Sequence, residues 1–142
     1  MSTAELDELR DTVVPAQVAA ERALHDGDVT PRLSTWSHED PVTLFGAAVP
    51  YRTGWVEVRP LFERLAATFA GCGDYDFELL AAGASDTLAY TVGIERYRAT
   101  TASGEVVDNE LRVTHVYRRE PAGWKIVHRH GDHIPEDHFG SD

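Results

Sequence analysis

The sequence predicts a single α+β domain, with helices leading and a mainly antiparallel sheet following. Three observations carry that expectation. In the first half, apolar residues recur at helical steps: Leu6, Leu9, Val13, Ala16, Ala20, Ala23 and Leu24, then Val58, Leu61, Phe62, Leu65, Ala66 and Phe69. The second half reads as strands, separated by turns rich in Gly, Ser and Asp. The length of 142 residues suits one core, and no repeat, linker or low-complexity tract divides it, so one domain over 1–142 is expected.

The elements follow in order. The first periodic stretch predicts a helix over 3–26, disturbed by Pro15 and ended by Gly27. Thr30 and Pro31 form an N-cap with proline at the first helical position, opening a short helix that reaches Trp36. In SHEDPVTLFG, Pro41 disfavours helix before it, and Val42 to Phe45 form a short strand closed by Gly46. A second long helix lies within 55–70, with Pro60 in its first turn, and GCGDY stops it. Strands are expected over 77–82, 87–98, 106–119 and 123–131.

Composition narrows the function. A formal net charge of -11 would repel a phosphate backbone or an anionic membrane, so neither nucleic acid nor membrane is an expected partner. No apolar run approaches the roughly 20 residues of a membrane span. The opening MSTAELDELR is acidic and lacks an apolar signal core, which points to the cytoplasm. A lone cysteine, Cys72, allows no internal disulfide.

Register decides which side chains meet. A two-residue loop at Ser103-Gly104 sets Glu95 opposite Arg112 and Gly93 opposite Thr114. Pairing Arg118 with Trp124 across the next turn sets Val116 opposite Ile126, Thr114 opposite His128 and Arg112 opposite His130. One face then carries Glu95, Arg112 and His130 in a row, followed by Gly93, Thr114 and His128, then Thr91, Val116 and Ile126. The other face carries Ile94, Val113, His115, Tyr117, Val127 and Arg129. Both faces are partly apolar, so helices are expected on one and a second copy of the chain on the other, with His115 and Arg129 serving the dimer.

The helix leading to TWSHEDPVTLFG, the helix opening GWVEV, the strand AYTVGIER and the hairpin LRVTHVYRREPAGWKIVHRH together resemble the SnoaL-like, ketosteroid-isomerase-like branch of the nuclear transport factor 2-like superfamily. The resemblance covers essentially the whole chain. It implies a cone: a curved antiparallel sheet wrapped around N-terminal helices, a pocket at the open end, and homodimers through the outer sheet face. Carried onto this chain, the pocket implies Glu95, Arg112, His128, His130 and Asp40 as candidate catalytic groups. Trp36, His38, Phe45, Trp55, Thr114 and Val116 are the candidate ligand contacts. Arg112 would bind an anionic or carbonyl oxygen, and a histidine would act as acid or base. The tyrosine, protonated aspartic acid and aspartate base of ketosteroid isomerases have no matching trio here.

The resemblance implies a cofactor-independent general acid–base enzyme of ketosteroid-isomerase or polyketide-cyclase type, working as an isomerase, cyclase, dehydratase or hydrolase. Its ligand would be a small apolar or carboxylated organic molecule. The alternative is a non-catalytic ligand-binding domain of the same fold. A third reading is an oligomeric assembly module, since the strand pattern also resembles the association domain of calmodulin-dependent kinase. The bland reading of Glu95, Arg112 and His130 is a buried polar network that satisfies itself. For His38 and Asp40 it is capping and turn formation.

HRHGDH, residues 128–133, matches the zinc motif of the metallo-β-lactamase superfamily in its spacing. That motif needs further ligands well downstream, which the residues after His133 do not offer. In the expected register Arg112 also stands between the histidines and Glu95. No metal is expected.

Overall fold

The computed structural model describes residues 3–140. Helix α1 (Thr3–Glu8) runs through one π-helical turn (Leu9–Val13) into α2 (Val14–His25). The widened turn lies beside Pro15, which has no N–H to donate; Val14 N–H reaches back five residues to Leu9 O. Pro15 therefore changes the winding without ending the helix. Gly27, at φ 92, follows the C-cap residue Asp26 in the left-handed conformation that closes helices. Helix α3 (Thr30–Thr35) and helix α4 (Trp55–Ala67) complete the helical layer. Pro60 lies inside α4 rather than in its first turn, on the exposed side of the helix.

Strands β1 (Thr43–Phe45), β2 (Arg52–Thr53), β3 (Phe69–Ala84), β4 (Leu88–Thr101), β5 (Val106–Glu120) and β6 (Gly123–His133) form one curved, unclosed sheet in the order β2-β1-β6-β5-β4-β3. All pairings are antiparallel except β1 with β6. All of GCGDY lies in β3 instead of forming a loop, with shifts in pairing at Phe69/Gly71 and Cys72/Asp74. The core between sheet and helices includes Leu9, Trp36, Val58, Phe62, Tyr117 and Ile126.

The register differs from the expected one at three places, each with a physical cause. The β4–β5 hairpin pairs Thr100 with Val106 and bonds Thr101 N–H to Glu105 O, so its loop is Ala102-Ser103-Gly104, with Gly104 at φ +91. Three residues, the last left-handed, replace the two expected. This sets Glu95 opposite Leu111 and Gly93 opposite Val113. The β5–β6 hairpin pairs Glu120 with Gly123, leaving a two-residue loop. A bulge then inserts Val127, so Tyr117 faces Ile126 while Val116 faces His128.

Because side chains alternate, these slips sort the sheet anew. Glu95, Leu111, Val113, His115, Tyr117, Ile126 and Arg129 share the inner face under the helices. Arg112, Thr114, Val116, His128 and His130 share the outer face.

At Gly93, β4 lies tight against β3. A Cβ there would stand 2.5 Å from Glu78 O and 2.6 Å from Phe77 Cζ. The first of these is backbone and cannot swing away. Gly93→Ala is expected to destabilise the fold by about 1–3 kcal/mol, read as a lower urea midpoint with an unchanged slope.

Candidate functional site

Helix α2 turns a polar row toward the sheet. Gln17, Glu21 and His25 follow at four-residue steps, and all three are buried. Helix α3 delivers Arg32 to the same place. Its Nε donates to Glu21 Oε2 at 2.9 Å, and Nη2 donates to Glu21 Oε1. The guanidinium lies 4.7 Å over the Phe62 ring, and its Nη1 has no acceptor among the described residues.

From the sheet, Arg129 Nη2 donates to Glu95 Oε2 at 3.0 Å, and the Tyr75 hydroxyl donates to Glu95 Oε1 at 2.6 Å. Arg129 Nη1 lies 3.9 Å from Glu21 Oε1, which joins the two pairs. The result is a buried quartet of two guanidiniums and two carboxylates, each residue at most 6% exposed. Burial alone would raise the Glu21 pKa, but Arg32 and Arg129 outweigh it and bring it down to about 2.

Two histidines border the quartet. Arg129 Nη1 donates to His115 Nε2 at 3.2 Å, which places that ring's proton on Nδ1. Burial, then Arg129, hold His115 well below the ordinary histidine pKa. His25 Nδ1–H donates to Glu21 O at 2.6 Å, since a carbonyl can only accept. Nε2 of the neutral ring therefore keeps its lone pair. Burial lowers the His25 pKa, partly offset by the bond to Glu21 O and by the Glu21 and Glu95 carboxylates. Phe69 and Tyr97 fix the ring, with centroids 4.6 and 3.9 Å away.

Above the quartet lies a cavity of about 110 Å³. His25, Arg32, Glu95 and Arg129 line it on the polar side, and Leu24, Leu44, Leu61, Phe62, Leu65, Phe69 and Leu111 on the apolar side. The loop Gly46–Val49 completes the wall. Chemically, this chamber offers a neutral imidazole acceptor and unused guanidinium hydrogens beside an apolar wall.

Of the candidates read from sequence, Glu95 lines this cavity and the others do not. Arg112 lies on the outer face and is exposed, forked onto Asp132 at 2.8 and 2.9 Å. His130 sits 3.4 Å from Asp132, and His128 shares a 2.8 Å hydrogen bond with Thr43 Oγ1. Phe45 is exposed and stands edge-on to both histidines, and Thr114 and Val116 are half-buried on the same face. The longer β4–β5 loop put all six on the far side of the sheet. Conversely, His115 and Arg129, expected outside, are inside.

Trp36 belongs to the core, edge-on to Phe62 at 4.9 Å. His38 stacks on Trp55 at 4.2 Å and donates from Nε2 to Leu33 O at 2.7 Å. Asp40 accepts the Trp55 N–H at 2.8 Å, holding the start of α4. These three loop and helix positions lie away from the quartet because capping fixes them.

The missed residues are Glu21, His25, Arg32, Tyr75 and Arg129. One signal was present: Gln17, Glu21 and His25 interleave with Ala20 and Leu24 on a single helical face, so the buried stripe itself carries the polar groups.

The quartet makes stability pH-dependent. His25 and His115 titrate near 6.5 when unfolded and lower when folded; Glu21 falls from 4.5 to about 2. In each window the unfolded chain binds more protons, so stability is lost as pH falls. The urea midpoint is expected to drop from about pH 6.5 downward and again below 4.5. Glu21→Gln should reduce the second loss, leaving the part that Asp108, Glu120 and Asp132 contribute through their own lowered pKa values; an unchanged acid limb would show that Glu21 is not ion-paired.

Over residues 16–134 the chain matches the family described as SnoaL-like domain, and it belongs to that family. Its fold is that of the nuclear transport factor 2-like superfamily. A member of that superfamily from Salmonella enterica serovar Typhimurium superposes with a TM-score of 0.76 at 14% identity, covering 99% of each chain. A nuclear transport factor 2-like protein of unknown function from Pseudomonas putida gives 0.72 at 23% identity, over 98% of this chain and 92% of that one. A ketosteroid isomerase-like protein from Erwinia carotovora atroseptica gives 0.70 at 20% identity, over 91% and 98%. No curated protein matches. No helix among the described residues is long and apolar enough to cross a membrane.

Proposed function

We propose that the chain is a cofactor-free general acid–base enzyme that moves a proton at a carbon beside a carbonyl. The carrying observation is His25, which lines the chamber: its Nδ1–H is committed to Glu21 O and burial keeps the ring neutral, so Nε2 is left as a base. In this reading Nε2 takes the α-proton, the C–H pair becomes the enolate double bond, and the carbonyl oxygen takes the charge. Arg32 Nη1–H donates to that oxygen. The Glu21 and Glu95 carboxylates attract the imidazolium that forms, and it returns the proton to carbon. The ketosteroid isomerase-like neighbour fits this chemistry at the level of fold.

Deuterium uptake tests it. Butanone in D2O with the protein is expected to lose α-proton signal in the proton NMR spectrum faster than in buffer, saturably with ketone concentration. Saturable binding with no exchange would instead make the chain a ligand-binding domain of the same fold.

A second copy of the chain on the outer sheet face fits the same reading, since Leu88, Tyr90 and Phe45 are exposed there at 52%, 44% and 44%. Equilibrium sedimentation at twice the chain mass is the expected result, and the mass of a single chain would refute it.

A further inference from the structure

We propose that the chamber takes a small neutral carbonyl compound of about four to six heavy atoms, and neither a polycyclic ligand nor an anion. This rests on the reading of the site given above. Size is the first ground. An apolar cavity of about 150 Å³ holds one benzene ring. The chamber, at about 110 Å³, is smaller. Leu44, Phe62, Leu65 and Leu111 are among its walls, and a fused second ring would need more than the enclosed volume.

Charge is the second ground. The two guanidiniums are answered by two carboxylates, through Arg32 to Glu21 and Arg129 to Glu95. The quartet as a whole offers no net positive charge, and burial keeps His25 on the neutral side. A carboxylate entering here would be stripped of water without a counter-charge to receive it. The formal net charge of -11 opposes its approach as well. A neutral carbonyl needs only one donor, and the spare hydrogens on Arg32 Nη1 supply it, while an alkyl remainder meets the leucine and phenylalanine wall.

Three probes separate these properties: butanone is small and neutral, pyruvate is small and anionic, and 1-decalone is neutral and bicyclic. Binding of each to the wild-type protein at neutral pH is measured by saturation-transfer NMR, and α-proton exchange in D2O is followed in the same samples. Butanone is expected to bind saturably and at least about tenfold more tightly than the other two. Pyruvate or 1-decalone binding as tightly as butanone, or no saturable butanone binding, would overturn the proposal. Butanone binding without exchange would leave the ligand class standing and remove the acid–base reading. Exchange that favours pyruvate or 1-decalone would do the reverse.

Discussion

Replacing Arg129 with Met is expected to cost the fold about 3–5 kcal/mol, the range for breaking a buried ion pair from one side. Arg129 reaches Glu95, Glu21 and His115 together, at 3.0, 3.9 and 3.2 Å, and no other side chain among the described residues does. Without it Glu95 keeps only the Tyr75 hydroxyl, and a carboxylate 1% exposed has no cation. Met fills much of the same volume, so the loss is electrostatic rather than a cavity. Urea unfolding at neutral pH measures it. Arg112→Met is the matched control: its bidentate pair with Asp132 lies in solvent, where such pairs contribute little, and its midpoint should stay near wild type. Equal losses for the two variants would mean that the inner quartet is no more important to the fold than a surface pair.

His25→Asn is expected to slow butanone α-proton exchange by about 10²- to 10⁴-fold, the usual contribution of a positioned base. Asn is chosen because its amide can still donate to Glu21 O, as His25 Nδ1 does, while offering nothing at the place of Nε2. The fold should therefore survive, which the urea midpoint checks. His130→Asn, on the outer face beside Asp132, should leave the rate unchanged. Retained exchange in His25→Asn would move the base to Glu95, the carboxylate that lines the chamber.

Much of the fold was legible in the sequence because periodicity is a local property. The helical stripes, the four long strands and the turn-forming glycines all lie where the pattern puts them to within a few residues, apart from the N-terminal half of β3. Strand β2, two residues long, has no periodicity to read. The site was less legible, because a face assignment depends on counting loop residues. Ser103-Gly104 reads as a two-residue turn, yet the left-handed Gly104 closes a three-residue loop, and that one residue carried Arg112 and His130 to the opposite face from Glu95. The Val127 bulge has no composition signal at all, and it puts Arg129 beneath the helices. Glu21 and His25 were masked for a different reason. An apolar stripe was sought on α2, and the buried stripe there is half polar, which only the arginines arriving from α3 and β6 make affordable.

The measurement that bears most directly on His25 as the base is its nitrogen-15 NMR spectrum through a pH titration, with and without butanone. The expected result is a neutral ring with the proton on Nδ1, an apparent pKa below the ordinary 6.5, and an Nε2 resonance that moves when butanone binds. A ring carrying its proton on Nε2, or one already protonated at pH 6.5, would contradict it.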